Sequence, residues 1–452
     1  QMDGESIDFE KNKDAETKFE TSEGIVKNNF FSMDESQDSL QFKSISAQYD
    51  LKHETINCFK VDFLELGDAF IFPDGKRLKI QKNAVMDTLY NAKILANRIT
   101  KIHQFSNVAV EVKGRNEFYG NGLYSYYDRD SALTKIDIGN IYFDKIQTIA
   151  KTDIKEESNF KLSSKFDYFG GFSVSSKNDG VICDGYARVN HLCDFNKSWM
   201  KFSDTILASN VQIPIPQNPT SKNKGALAAG FLWKDTEVQD SLYVYPTFLS
   251  KKEGEKDVLM FSASGILEYD YDLEQFTLSD KLPGEKYSYA NNSLILNEKT
   301  CSLNGRGEID LGIDLSPVVL TSFGEINYDK KKNLTSINAF TKMDIPLPKN
   351  ISHHMAGIFQ QSDTLEEYTF SKSTQERLTD IFTILSKSAD KAEKLFKDYD
   401  EDKLKKAPAF LNQSYIFPEL YIEYYMNKKI ADRDAVSGFI TKYSRTPVFS
   451  IN

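Results

Sequence analysis

Apolar and polar residues alternate along most of the chain between residues 37 and 350. In Lys76-Arg77-Leu78-Lys79-Ile80-Gln81-Lys82, Leu78 and Ile80 share one face and the charges take the other, the period of a half-buried β-strand. The same rhythm predicts strands at 45–49, 58–64, 70–72, 78–80, 108–112, 141–146, 160–162, 172–176 and 181–189, then again at 242–245, 259–262, 266–269, 276–278, 293–296, 318–320, 325–328 and 336–340. Residues 83–102 also fit a helical face through Met86, Leu89, Tyr90, Ile94 and Leu95; strands are the preferred reading there. Pro73-Asp74-Gly75, Gly120-Asn121-Gly122 and the segment from Ser176 to Gly180 are turn material, because Pro fixes φ and Gly tolerates φ > 0.

The period changes at Ser373. Ser373-Thr374-Gln375-Glu376 reads as a capping box. Leu378, Ile381, Phe382, Leu385, Ala389, Ala392, Leu395 and Phe396 then recur at spacings of three and four. This predicts one amphipathic helix of about seven turns, closed by Pro408. Residues 415–416, 420–425 and 448–451 return to strand chemistry and are expected to pair back onto an earlier sheet edge. Residues 210–225, with three prolines in VQIPIPQNPTSKNKG, read as a linker without regular structure.

The expected fold is therefore mainly β. Stacked antiparallel hairpins, jellyroll- or sandwich-like, form two β domains with a C-terminal helical insert. The layout is a polar arm at 1–36, β domains at 37–215 and 216–350, a helical segment at 351–412 and terminal strands at 413–452.

Two short patterns recur within this layout. Asx-Ala appears at Asp68-Ala69, Asn83-Ala84 and Asn91-Ala92, and Tyr-Asp at Tyr49-Asp50, Tyr269-Asp270 and Tyr328-Asp329. Asp at a strand end can bond the backbone of the turn that follows, so each Tyr-Asp copy is expected to close a strand. Read together, the copies suggest a stacked hairpin unit of roughly 15–25 residues.

Composition narrows the function. A net charge of −10 argues against nucleic-acid binding, which needs a basic footprint. No run of 18 apolar residues exists to span a membrane as a helix. An outer-membrane barrel is a weak alternative, because many strands carry charges on both faces. The first residues are polar and acidic, as after removal of an export signal or excision from a longer protein. The four cysteines, Cys58, Cys183, Cys193 and Cys301, include no CxxC pair and no zinc spacing. Cys183 and Cys193 are expected on one continuous strand of about 33 Å, too far apart to bond to each other.

Candidate chemistry is sparse. GxSxG, HExxH and Walker patterns are missing. The histidines are His53, His103, His191, His353 and His354. The adjacent pair diverges in either a strand or a helix, and His191 reads as a satisfied core-edge residue. The run from Asp398 to Asp402 opens like a calcium loop, but Lys403 stands where Gly is needed and Ala409 where Glu is needed. Gly305-Arg306-Gly307 lacks the third Gly of a dinucleotide fingerprint and reads as a turn or bulge. No catalytic, cofactor-binding or metal-ligating residue is assigned.

The order small residue, Tyr-Asp, hairpin, Asx-Ala resembles the OstA-like β-jellyroll family of lipopolysaccharide-transport proteins. It is carried by Ala47-Gln48-Tyr49-Asp50, Gly67-Asp68-Ala69 and Asn83-Ala84. The stretches YNAKILANRITKIH (90–103), NHLCDFNKSWMKF (190–202) and SASGILEYD (262–270) are similar to segments of large, mostly uncharacterised exported β-rich proteins of Bacteroidetes-type Gram-negative bacteria. The resemblance implies a non-catalytic cell-envelope protein, periplasmic and outer-membrane associated. It would act as a structural, assembly or bridging subunit of an outer-membrane or periplasmic protein complex, with lipid or lipopolysaccharide as a candidate ligand. An envelope enzyme acting on glycan or lipid, or a secreted binding module, is the alternative. If the hairpins stack as in that family, Ile71, Leu78, Ile80, Met86 and Ile94 either line an apolar trough or close a dry core.

Overall fold

The computed structural model describes residues 28–234, 243–280, 288–312, 316–348, 350–351, 354, 358, 372–401, 403, 408–411, 414–425 and 448–449. It is mainly β with antiparallel sheets and a helical insert. The chain divides into two compact units, residues 1–187 with 202–211 and residues 188–201 with 212–452.

The first unit is built from β1 (Asn28–Phe31), β2 (Gln41–Ser44), β3 (Ser46–Asp50), β4 (Thr55–Phe59), β5 (Leu64–Leu66), β6 (Ala69–Phe72), β7 (Arg77–Ile80), β8 (Leu89–Ala96), β9 (His103–Gly114), β10 (Glu117–Tyr127), β11 (Leu133–Phe143), β12 (Thr148–Ile154), β13 (Lys161–Ser163), β14 (Phe166–Ser175), β15 (Val181–Val189) and β16 (Met200–Ile206). Thirteen strands form one sheet in the order β1-β2-β5-β6-β8-β9-β10-β11-β12-β14-β15-β16, with β13 added to β14; β3-β4-β7 form a small separate sheet. From β8 onward neighbours in sequence are mostly neighbours in the sheet, so short hairpins do the connecting.

This sheet rolls on itself. Tyr126 on β10 and Phe172 on β14 are three strand steps apart, about 14 Å on a flat sheet, yet their rings meet at 6.3 Å. Bulges keep the apolar residues inside. Along β9, His103 and Phe105 are buried, and Val108, Val110 and Val112 resume the pattern one residue out of phase. Asn107, at φ 51°, absorbs the extra residue. Gly120-Asn121-Gly122 belongs to the same irregularity inside β10 and is not a turn. A Cβ on Gly122 would stand 2.8 Å from the Val108 backbone, so close strand approach explains the glycine.

The second unit contains β17 (Ile213–Ile215), β18 (Leu227–Lys234), β19 (Tyr243–Lys251), β20 (Val258–Ser262), β21 (Gly265–Asp270), β22 (Gln275–Ser279), β23 (Ser293–Asn297), β24 (Ser302–Glu308), β25 (Val319–Asp329), β26 (Leu334–Asp344), β27 (Ser414–Tyr425) and β28 (Val448–Phe449). Nine of them form the sheet β17-β21-β22-β23-β24-β25-β26-β27-β28, and β19-β18-β20 form a second. The terminal strands pair back onto β26 as expected. The proline-rich segment is not all linker. Ile213-Pro214-Ile215 pairs with β21 as an edge strand, where proline's missing donor costs no ladder bond.

The nine-stranded sheet is covered on both faces. On one, Phe261 of the small sheet packs where Gly305 leaves room, its ring 2.7 Å from a would-be Cβ. Gly305 lies mid-strand opposite Leu294 and Ile326, so Gly305-Arg306-Gly307 is neither a turn nor a bulge. On the other face, Phe323 and Phe340 lie opposite each other and join Leu378, Ile381, Phe382, Ala392, Leu395 and Phe396 in one apolar cluster.

The single long helix expected over these residues is two: α1 (Lys372–Ser386) and α2 (Ala389–Asp400). Ser373 lies inside the first turn of α1. Lys387 adopts φ 55°, and Ser388 caps the second helix through Oγ to the Lys391 N–H at 3.4 Å. In an unbroken helix Phe382 and Phe396 would be about 21 Å apart. The break lets them stack at 5.4 Å.

The three Tyr-Asp copies share one hairpin. Asp50, Asp270 and Asp329 each accept backbone N–H groups two and three residues on, at 2.9–3.2 Å. The fourth residue after each, Glu54, Glu274 or Asn333, has φ of 50–51°. Asn297 makes a fourth such hairpin, with Cys301 at the positive-φ position. The Asx-Ala copies share no such structure. Asp68 precedes β6, Asn83 lies in a 3-10 turn, and Asn91 is a bulge in β8.

Candidate interaction surface

Four connections converge at one end of the rolled sheet in the first unit: Gly67-Asp68, residues 97–102, residues 144–147 and residues 176–180. Asp68 joins three of them. Its Oδ1 accepts from the Thr148 N–H at 3.0 Å and from Thr148 Oγ1 at 2.5 Å, its Oδ2 accepts from Ser176 Oγ, and its carbonyl accepts from the Arg98 N–H at 2.7 Å. Asn97 donates from Nδ2 to the Ser176 carbonyl at 3.3 Å, and Ser175 Oγ donates to Gln147 Oε1. His103, buried behind this layer, bonds the Asn178 carbonyl through Nε2 at 2.7 Å and Tyr124 Oη through Nδ1 at 3.0 Å. A carbonyl only accepts, so Nε2 carries a proton. Burial pulls His103 below its ordinary value and favours the neutral ring, in which the Tyr124 hydroxyl donates to Nδ1.

On this braced base the loop tips are apolar and cationic. Ile99 is 90% exposed, Ile146 63% and Ile102 42%. Arg98, Lys101 and Lys145 stand beside them in sequence, and Lys177 lies in the fourth connection. Arg98 pairs with Glu65 at 2.9 Å. The Asp144 carboxyl accepts from the Gln147 and Ile146 N–H groups, which hold it below the usual carboxylate range, with Lys177 nearby. Lys101 lies 5.9 Å from the Phe70 ring centre, and Phe70 belongs to an outward-facing trio with Phe63 and Phe72 at centroid distances of 4.9–6.4 Å.

Asp257 and Glu298, buried carboxylates of the second unit, are bonded internally. Asp257 accepts from Tyr245 Oη at 2.5 Å and from the Gly254 N–H at 2.7 Å. Glu298 accepts from Tyr269 Oη at 2.6 Å and from the Leu192 N–H at 3.1 Å. His191 is buried between Phe195 and Phe248. Its Nδ1 has no hydrogen-bond partner, so the satisfied state expected of it is not met. Cys193 bonds to Cys301, Cα to Cα 5.4 Å; Cys183 stays free and buried. The absence of a 183–193 bond agrees with the sequence reading, but the strand ends at Val189 and does not reach Cys193.

Ile71 and Ile94 are fully buried and face each other across β6 and β8, while Leu78 and Ile80 belong to the separate small sheet. Met86 is buried and bridges Ile80, which is only half-buried, so the five residues do not share one wall. Asp398 and Asp400 end α2 and Glu401 pairs with Lys403; Asp402 and His353 lie outside the described residues. Among the described residues no three His, Cys, Asp or Glu side chains converge as a metal site. A cleft of about 380 Å³ in the second unit is lined by Asn292, Glu308, Asp310, Thr321 and Ser322, among others. Sequence reading missed the loop surface, since exposure of an isoleucine has no local signature.

No protein-family model, curated protein or solved structure matches the chain.

Proposed function

We propose that the chain is a non-catalytic scaffold of the Gram-negative cell envelope, exported to the periplasm and associated with an outer-membrane complex, and that it docks through the loop-bearing end of its first unit. The observation that carries this reading is the contrast at that end. Ile99, Ile102 and Ile146 project from tips whose supporting polar groups, Asp68, Thr148, Ser176 and His103, are already consumed in bonds to one another and to the backbone. Such a base is rigid and chemically quiet, and exposed aliphatic side chains on a rigid base suit binding.

The Cys193–Cys301 bond supports the exported half of the reading, because disulfides persist in oxidising compartments. The test is the redox state of these two thiols in the native cell. Thiol-alkylating mass tags added as acid-quenched cells are denatured should label Cys58 and Cys183 and leave Cys193 and Cys301 unlabelled. Labelling of all four would remove the periplasmic assignment.

A second reading, an enzyme acting on envelope glycan or lipid, is favoured by the polar cleft with Glu308 and Asp310 on its wall. Turnover of an envelope glycan or lipid that is lost in Glu308→Gln or Asp310→Asn would establish it.

A further inference from the structure

We infer that the loop-bearing end of the first unit docks on an anionic lipid surface, an inference that rests on the scaffold reading above and names what its docking end meets. The apolar side chains sit at hairpin tips and not in a groove. Ile99 lies between Arg98 and Lys101, and Ile146 follows Lys145. A protein partner's helix or strand is usually received in a concave or flat apolar seat. Separate protruding aliphatics with cations beside them instead match an interface where side chains enter the acyl boundary and ammonium groups stay among phosphates. The outer-face trio of Phe63, Phe70 and Phe72 extends the apolar surface, with Lys101 lying over the Phe70 ring. Phe, like Trp and Leu, serves on the apolar face of segments that lie in the membrane interface.

Local charge is compatible with this even though the chain carries −10 overall. Screening confines the field to about 8 Å at physiological salt, so the groups at the tips decide. Glu65 is paired with Arg98, and Asp144 accepts from its own loop N–H groups with Lys177 close by. Asp68 is spent on Thr148 and Ser176. Asp179 lies near His103. Lys101 and Lys145, both exposed, remain at the tips beside the isoleucines.

The test is co-sedimentation of the full chain with vesicles of phosphatidylglycerol and phosphatidylethanolamine, against phosphatidylcholine alone. Wild type should bind the first and not the second. Ile99→Ser with Ile146→Ser should weaken binding by about tenfold or more. Lys101→Glu with Lys145→Glu should weaken it by roughly five- to tenfold per position and reduce its salt dependence. All four positions are exposed, so thermal unfolding should be unchanged in both variants. As a second measurement, an environment-sensitive fluorophore on Ile99→Cys should shift to the blue with the anionic vesicles. Absence of wild-type binding, or equal binding by the double variants, overturns the lipid surface. If vesicles fail while recovery of an envelope complex still depends on Ile99 and Ile146, the end docks on protein; the lipid inference falls and the scaffold reading stands.

Discussion

The carboxylate of Asp68 accepts the backbone N–H of Thr148 at 3.0 Å, although β6 and β12 are five strand steps apart in their sheet. On a flat sheet that distance would be about 24 Å. The bond therefore ties the rolled sheet across its own opening, and Ser176 Oγ and Thr148 Oγ1 donate to the same carboxylate.

Asp68→Ala should destabilise the first unit by about 3 kcal/mol, since Thr148 and Ser176 are buried and would be left with unmet donors. Urea unfolding of the variant measures it. A loss below about 0.5 kcal/mol would mean the closure is held by the aromatic contacts instead.

The Tyr-Asp hairpins were legible because their chemistry is local: one carboxylate, two N–H groups and one positive-φ residue within five positions. The Asn297 copy escaped notice because Leu296 stands where the others have Tyr. The helix break at Lys387 has no Gly or Pro to announce it. It exists because Phe382 and Phe396 both find the apolar face around Phe340. The roll of the sheet, the Cys193–Cys301 pairing and the loop surface are tertiary facts. Each joins segments tens of residues apart, and the alternation of apolar residues is the same for a flat, rolled or stacked sheet.

In the shared hairpin, Glu274 adopts φ 50°, a region that costs a non-glycine residue roughly 1–2 kcal/mol. Glu274→Gly should raise stability by about 0.5–1 kcal/mol after the added unfolded-state entropy. Asp270→Ala should lower it by about 1 kcal/mol. Thermal unfolding of the two variants should move in opposite directions; a shift in the same direction would show that the turn geometry does not govern the hairpin.

Acid should destabilise the chain through its buried histidines. Burial lowers the folded-state values of His103 and His191 below the ordinary 6.5. In the unfolded chain both take up a proton near 6.5, so the unfolded state binds more protons below that pH. Their stabilisation is complete above about 6.5 and is lost as pH falls through the depressed folded values. Urea midpoints measured from pH 7.5 down to 4.5 should decline, and His103→Gln should flatten part of the decline. An unchanged slope in that variant would show that His103 is not among the groups responsible.

The disulfide and the two free thiols should behave in opposite ways. Cys193 and Cys301 close a loop of 108 residues, and constraining a loop of that length stabilises by about 2–5 kcal/mol. Cys301 occupies a positive-φ hairpin position and Cys193 lies beside the Glu298 carbonyl, so the bond fastens the β23–β24 hairpin to the segment before Trp199. Cys301→Ser should lower the urea midpoint of the second unit by an amount within that range, with the first unit little affected. Cys58 and Cys183 are buried, and burial pushes both thiols up to about 12, so almost no thiolate forms at neutral pH. The native, oxidised chain should therefore take up no maleimide, and two equivalents only after unfolding. Uptake of label by the native chain would place Cys58 or Cys183 in contact with solvent and contradict the packing around the small sheet or inside the rolled one.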